Sequence, residues 1–311
     1  MKKIWIFLLI LCLLCAGCGY TPDNTASDTA YTFTDDLGRT VTVDQPKNVA
    51  VLLGSFAQVW QLAGGHVAAT AEDAWEDLGL PLEDAVNLGG TKSLNLELLL
   101  SADPDFVLAS ANTRQHVEWL ETLEAAGIPV AYFDVGDFDD YLRLLRICTD
   151  ITGRVDLYLQ NGLSIQNQID AVIEQSYQRL ANTATPTVLC LTVSASSIRA
   201  QNSVGTVLGE MLRTLGCVNI ADSEKTLLEN VSLEYILMAD PDYIFIVQRG
   251  DDTEGMLQNM ARELESNPLW AQLTAVKEGR IHIMEKSLYN LKPNHRWAEA
   301  YEKLEAILAD E

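Results

Sequence analysis

The chain has 311 residues, 48% of them apolar, enough for two domains with cores of ordinary size. Its formal charge is −23 at pH 7. A surface so acidic repels nucleic acid and anionic lipid headgroups, which excludes both as partners held by charge.

The amino terminus carries Lys2 and Lys3, an uninterrupted apolar run over 4–14, and then Cys15-Ala16-Gly17-Cys18. A bilayer span takes about 20 apolar residues, so 1–18 reads as an export signal rather than a membrane helix. The small residues Ala16 and Gly17 before Cys18 resemble the lipobox of bacterial lipoproteins, with Cys15 standing where that motif usually has leucine. The resemblance implies a diacylated Cys18 that fixes the protein to the outer face of the cytoplasmic membrane; the alternative is an ordinary cleaved signal that frees it. Loss of Lys2 and Lys3 with the signal takes the charge from −23 to −25. Residues 19–30 are rich in Thr, Asp, Ser and Asn without an apolar period, the composition of a flexible tether.

Residues 31–34 and 40–43 alternate around Asp35-Asp36-Leu37-Gly38-Arg39 and predict a β-hairpin. An inner strand follows over 48–53, which Gly54-Ser55 turns into a helix over 56–62, and 67–70 is a weaker strand. Residues 86–88 lead into Gly89-Gly90 and a segment that occurs twice. Asn95-Leu96-Glu97-Leu98-Leu99-Leu100-Ser101-Ala102-Asp103-Pro104-Asp105 returns without a gap as Ser232-Leu233-Glu234-Tyr235-Ile236-Leu237-Met238-Ala239-Asp240-Pro241-Asp242. In each copy Asn95 or Ser232 can cap a helix whose first turn holds Glu97 or Glu234, where free amides and the helix dipole favour a carboxylate. Asp-Pro ends the helix, because the residue before proline leaves the α region, and an apolar run follows as a strand buried on both faces.

After the first copy, 116–126 predicts a helix and 129–134 a strand. From 139 to 151 and from 155 to 181 apolar residues fall at helical spacing, with Tyr158, Ile165, Ile169, Val172, Ile173, Tyr177 and Leu180 on one stripe. At about 1.5 Å per residue the second helix would run roughly 40 Å, the length of a connector between two halves; an ordinary packed helix is the plainer alternative. The second half again alternates: strands over 187–193, 243–247 and 280–284, helices over 206–215, 256–264 and 297–308. Such alternation means parallel sheets. Cys148, Cys190 and Cys217 lie in apolar contexts, odd in number and without metal-ligand spacing, so buried free thiols are expected.

Several motifs, in order, carry a family resemblance. They are the export signal and lipobox, Asp36-Leu37-Gly38-Arg39, Gly89-Gly90 before Asn95-Leu96-Glu97, Ala102-Asp103-Pro104-Asp105, Gly127-Ile128-Pro129-Val130 and the segment 145–153. Asn267-Pro268-Leu269-Trp270, Ala275-Val276-Lys277-Glu278-Gly279-Arg280 and the last helix continue the series. Together they resemble the iron-chelate, haem and cobalamin group of ABC-transporter binding proteins over nearly all of 31–308. The resemblance implies two Rossmann-like α/β lobes with mainly parallel sheets, 31–153 and 183–311, joined by one long helix, 154–182. It implies a monomer with little hinge movement that holds a metal chelate between the lobes. It further implies that Glu97 and Glu234, one on each lobe, dock into a permease dimer served by an ATPase.

In open α/β sheets, ligands bind beyond the carboxyl ends of the strands. Those segments here include Ser55, Phe56, Lys92, Arg114, Arg199, Arg249, Lys286, Tyr289 and Asn290. Five cations in such places suit carboxylates or phenolates, as on a ferric siderophore or the propionates of haem. Phe56, Trp75 and Tyr289 would supply flat apolar contacts. For haem, Tyr289 or His116 would be the axial candidate. A bare metal ion is the weaker reading, since none of the four histidines, His66, His116, His282 and His295, stands at ligand spacing from another. A surface hydrolase is weaker still: no nucleophile elbow, zinc helix or phosphate loop is present, and Asp73, Glu76, Asp77, Glu83 and Asp84 read as a solvated acidic face. No catalytic residue, metal ligand or resident cofactor is assigned.

Overall fold

The computed structural model describes residues 30–229 and 231–310; the export signal, the lipidation candidate Cys18 and the tether up to residue 29 lie outside them. The predicted hairpin forms from β1 (Ala30–Thr34) and β2 (Thr40–Asp44). Asp35 at its tip is buried and accepts from the backbone N–H groups of Leu37 and Arg39 at 3.1 and 2.9 Å. Its neighbour Asp36 takes a bidentate pair from Arg143 at 2.6 and 2.8 Å, which fastens the hairpin to the helix Phe138–Thr152.

Two separate sheets follow. In the first, β3 (Val49–Val51), β4 (Val67–Thr70), β5 (Val86–Asn87), β6 (Phe106–Ser110) and β7 (Val130–Phe133) run parallel in the order β5-β4-β3-β6-β7. The second is built from β8 (Thr187–Val193), β9 (Ile198–Gln201), β10 (Val218–Asn219), β11 (Tyr243–Gln248) and β12 (Ile281–Met284). Its parallel order is β10-β8-β11-β12, and β9 returns antiparallel on β8. The repeat strands β6 and β11 take corresponding places, each between the first and last strand of its lobe.

The two copies of the repeat turn in the same way. Asp103 and Asp240 both adopt left-handed backbone, φ +50° and +40°. Proline thus drives its predecessor out of the right-handed α region, and the short carboxylate side chain tolerates the left-handed well instead. Two residues on, Asp105 accepts from the backbone N–H groups of Lys47 and Asn48 at 2.8 and 2.9 Å, while Asp242 accepts from that of Thr187 at 2.7 Å. Each aspartate therefore pins the entry of the first strand of its sheet, β3 or β8.

Side chains of the inner strands alternate between two cores, as parallel strands covered on both faces require. Phe106 and Leu108 join a large apolar cluster while Val107 and Ala109 join another on the outer face of the first lobe. Likewise Phe245 enters the large cluster and Ile244 and Ile246 the outer core of the second lobe. The large cluster is continuous from Val51 and Phe133 in one lobe through Tyr141 and Trp297 to Leu208 and Leu212 in the other.

The connector spans 155–180 as one helical rod with a π turn at Leu159–Leu163. Tyr141 donates its hydroxyl to the Asn161 carbonyl at 2.7 Å within that turn. A side chain at Gly162 would come within 3.0 Å of Leu142, so the turn lets two helices touch closely. The buried stripe of Ser164–Leu180 reads Ile165, Ile169, Val172 and Ser176. Tyr177, expected on it, is 54% exposed; Ser176 goes inside because its hydroxyl finds the Leu215 carbonyl at 2.8 Å. Arg179 completes the joint with a bidentate pair to buried Glu305 on the last helix, at 2.9 and 3.1 Å. Two further expectations change in detail. The helix expected over 116–126 is two short ones, Arg114–Glu118 and Leu120–Ala125, and that over 256–264 is Thr253–Met260 followed by a π turn. Cys148, Cys190 and Cys217 are buried free thiols.

Candidate functional site

A cavity of about 470 Å³ lies between the lobes, beyond the carboxyl ends of β3, β5 and β6. Its first-lobe wall holds Leu53, Ser55, Asp73, Asp77, Thr91, Lys92 and 112–114; Asn290, Leu291 and Lys292 close it from the other lobe. A smaller cavity of about 140 Å³ lies in the second lobe on the other side of Asn290 and Lys292, which line both. A larger concavity, about 590 Å³, surrounds Glu234, but one lobe alone supplies its walls and Glu229, Glu234 and Glu263 line it. The cleft, in contrast, combines both lobes with Lys92, Arg114 and Lys292.

Gly54 makes the first wall possible. A Cβ there would sit 2.5 Å from the Ala74 nitrogen, so only glycine lets the turn after β3 press against 73–74. In return the Gly54 N–H donates to both Asp73 oxygens at 3.0 and 3.1 Å. Burial still raises the Asp73 carboxyl to about 6, against the Gly54 hydrogen bond and with help from the Asp77 charge.

The expected cations divide. Lys92 lines the cleft, exposed, and meets no partner among the described residues. Arg114 also lines it but is 91% exposed and engaged to Glu118 at 2.6 Å. Lys286 is already neutralised, with its ammonium 2.8 Å from Asp77 and 2.6 Å from Asp251. Burial acts to lower its pKa, yet the hydrogen bonds to Asp251 and Asp77 outweigh that and hold it above the ordinary lysine range. Arg199 and Arg249 line neither cavity. The segment expected to be a ligand loop turns back at Ser194 and Ser197 and forms β9, leaving Arg199 on an exposed face opposite Thr192.

The expected aromatic contacts are corrected as well. Phe56 is 2% exposed inside the large core, and Trp75 packs against that core with its indole N–H given to the Leu82 carbonyl at 3.3 Å. Tyr289 reaches the smaller cavity, but it is buried and its hydroxyl is donated to the Ala300 carbonyl at 2.9 Å. His116 is fully buried, and burial lowers it to about 4; its Nδ1 accepts from Ser110 N–H at 3.1 Å. Neither offers a haem iron an axial ligand. Ser55 and Asn290 do line the cleft, with Asn290 held by the Gln248 carbonyl at 3.2 Å.

Lys292 was missed because the window beyond β12 stopped at Asn290. The sequence carries a signal for it: a lysine between Leu291 and Pro293, hence half-buried. The turn that follows is fixed by Asn294, at φ +53°, whose amide donates to the Ser55 carbonyl and to Gln58, both at 2.8 Å. Lys292 has no hydrogen-bond or ion-pair partner among the described residues. Burial lowers its pKa, against the fields of Asp134 and Asp140.

Glu97 and Glu234 are both exposed, each in the first turn of its repeat helix. Asn95 caps one helix by accepting from Glu97 and Leu98 N–H groups at 2.9 and 3.1 Å; Ser232 caps the other through Tyr235 N–H at 3.3 Å. Neither glutamate meets a cation among the described residues.

Known proteins share this architecture. The chain is 24% identical over 297 residues to the Fe(3+)-citrate-binding protein YfmC of Bacillus subtilis, covering 91% of this chain and 88% of that one. It is 26% identical over 304 residues to the Iron-uptake system-binding protein of the same organism, covering 91% of each. Among solved structures, Staphylococcus aureus SirA complexed with staphyloferrin B superposes with a TM-score of 0.71 at 18% identity, over 90% of this chain and 99% of that one. The periplasmic heme-binding protein RhuT of Roseiflexus sp. RS-1 gives 0.67 at 20% identity, over 85% and 98%. The model of the periplasmic binding protein family matches residues 49–288, three quarters of the chain, and with two lobes set about an open cleft the chain belongs to that family.

Proposed function

We propose that this chain is the extracytoplasmic solute receptor of an ABC importer, capturing an iron chelate of the siderophore class between its lobes and handing it to the permease. The observation that carries the reading is the cleft itself, walled by both lobes and lined by Lys92 and Lys292, neither in an ion pair among the described residues, in a chain of charge −23. Relatives named for ferric citrate binding and iron uptake support the ligand class. Glu97 and Glu234 are the docking acids, exposed at matching helix starts with no cation against either among the described residues, and Cys18 is the site of lipid attachment. The partner ATPase drives transport, and this chain performs no bond chemistry.

A thermal-shift panel of ferric siderophores, ferric citrate, haem and cobalamin tests the reading. A true ligand at a hundred times its dissociation constant adds about 2.7 kcal/mol and raises the melting point. A panel in which no iron chelate shifts the protein would reject the proposal, and turnover of a substrate without permease would favour an enzyme.

A further inference from the structure

We infer that the cargo is an anionic chelate with a free acidic arm, and that this arm enters the smaller cavity and is held there by the Lys292 ammonium. The inference rests on the cleft being the ligand site and adds which chelates it takes and which residue selects them.

Lys292 stands at the junction, lining both the 470 Å³ cleft and the 140 Å³ side cavity. The cleft suits the bulk of a metal complex and the side cavity only a short branch. Around the branch, Thr192 and Gln201 also line the wall, and their side chains have no partner among the described residues. Three groups able to donate, one of them charged, thus face a space too small for the whole ligand. Cys190 in the same wall is kept a neutral thiol by burial and adds no anion.

Neighbouring charges do not satisfy Lys292. Asp134 accepts from the Asn112 amide at 2.5 Å and Asp140 from Gly136 N–H at 2.9 Å; neither forms an ion pair with the lysine. Lys286, on the preceding turn, lines neither cavity and already has two carboxylates. A half-buried ammonium with no acceptor in direct contact is costly even with carboxylates nearby, and a ligand oxyanion supplies the missing acceptor.

Titration of the purified protein with ferric citrate, which is anionic, and with ferrichrome, a neutral hydroxamate chelate, tests this. Ferric citrate is expected to bind more tightly, with affinity falling as salt rises. Lys292→Gln should weaken ferric citrate by about 10- to 100-fold, the range for one charge-assisted hydrogen bond, and Lys292→Arg should recover most of it. If Lys292→Gln unfolds, Thr192→Val with Gln201→Ala reads whether the arm occupies the same side cavity, and unchanged ferric citrate affinity there would overturn the inference as well. Equal affinity of Lys292→Gln and the parent for ferric citrate, or a preference for ferrichrome with no salt dependence, would overturn the inference and leave the receptor reading intact. Binding of neither chelate would overturn both.

Discussion

Lys286 and Asp77 meet across the two lobes at 2.8 Å, and Asp251 completes the bridge at 2.6 Å from the same ammonium. A lysine expected from the sequence to greet the ligand is therefore used to tie the walls of the cleft together. Lys286→Met should lower stability by about 1 kcal/mol, the scale of a solvent-touched ion pair, and change chelate affinity far less than Lys292→Gln does. Melting curves and parallel titrations check this; an equal loss of affinity in both variants would show that Lys286 holds ligand after all.

Arg179 and Glu305 form the more buried pair. Removing one partner from such a pair leaves an uncompensated charge, so Glu305→Ala should cost about 3–5 kcal/mol in urea denaturation. Replacing both by apolar residues of similar volume should recover most of that loss.

Asp73 gives a pH signature. Its carboxyl is raised to about 6 in the folded chain from an ordinary value of 3.8. The folded state then holds the proton more firmly than the unfolded one, so this group's contribution is fully present below the ordinary value and is lost as pH rises through about 6. Asp73→Asn should remove that decline, and the unfolding free-energy difference between variant and parent should grow from pH 4 to pH 6.5, to about 1–2 kcal/mol after allowance for partial exposure. A difference constant with pH would contradict the assignment.

Glu97→Ala and Glu234→Ala separate docking from capture. Cellular uptake of the chelate should fall in each and fall further in the double variant, while affinity of the purified protein stays within about twofold, a few tenths of a kcal/mol. Unchanged uptake would reject the docking role.

Much of the fold was legible because it rests on local chemistry. The doubled Leu-Glu-x-x-Leu-x-Ala-Asp-Pro-Asp pattern located both inner strands, and β6 and β11 do sit in equivalent places. What the pattern left open was side-chain partnership. Position beyond a strand's carboxyl end marked Lys92, Arg114 and Lys286 alike; the Glu118 that engages Arg114 is its i+4 neighbour on the same helix, but the Asp77 that engages Lys286 comes from the other lobe. Arg199 was misplaced because the short return after Ser194 reads as loop until β8 is there to pair with it. Tyr177 lost its place to Ser176 for a similar reason: the Leu215 carbonyl that rewards a buried hydroxyl is 39 residues away.

The unbroken apolar interior that passes from Val51 through Trp297 to Leu212 has a mechanical consequence. Swinging the halves apart like jaws would expose that grease to water along the whole seam, at a steep penalty for every side chain uncovered. Discharge of cargo is therefore expected to proceed by slight yielding of the rim loops under force from the transporter. Small-angle scattering of the loaded and empty protein should then give nearly superimposable curves.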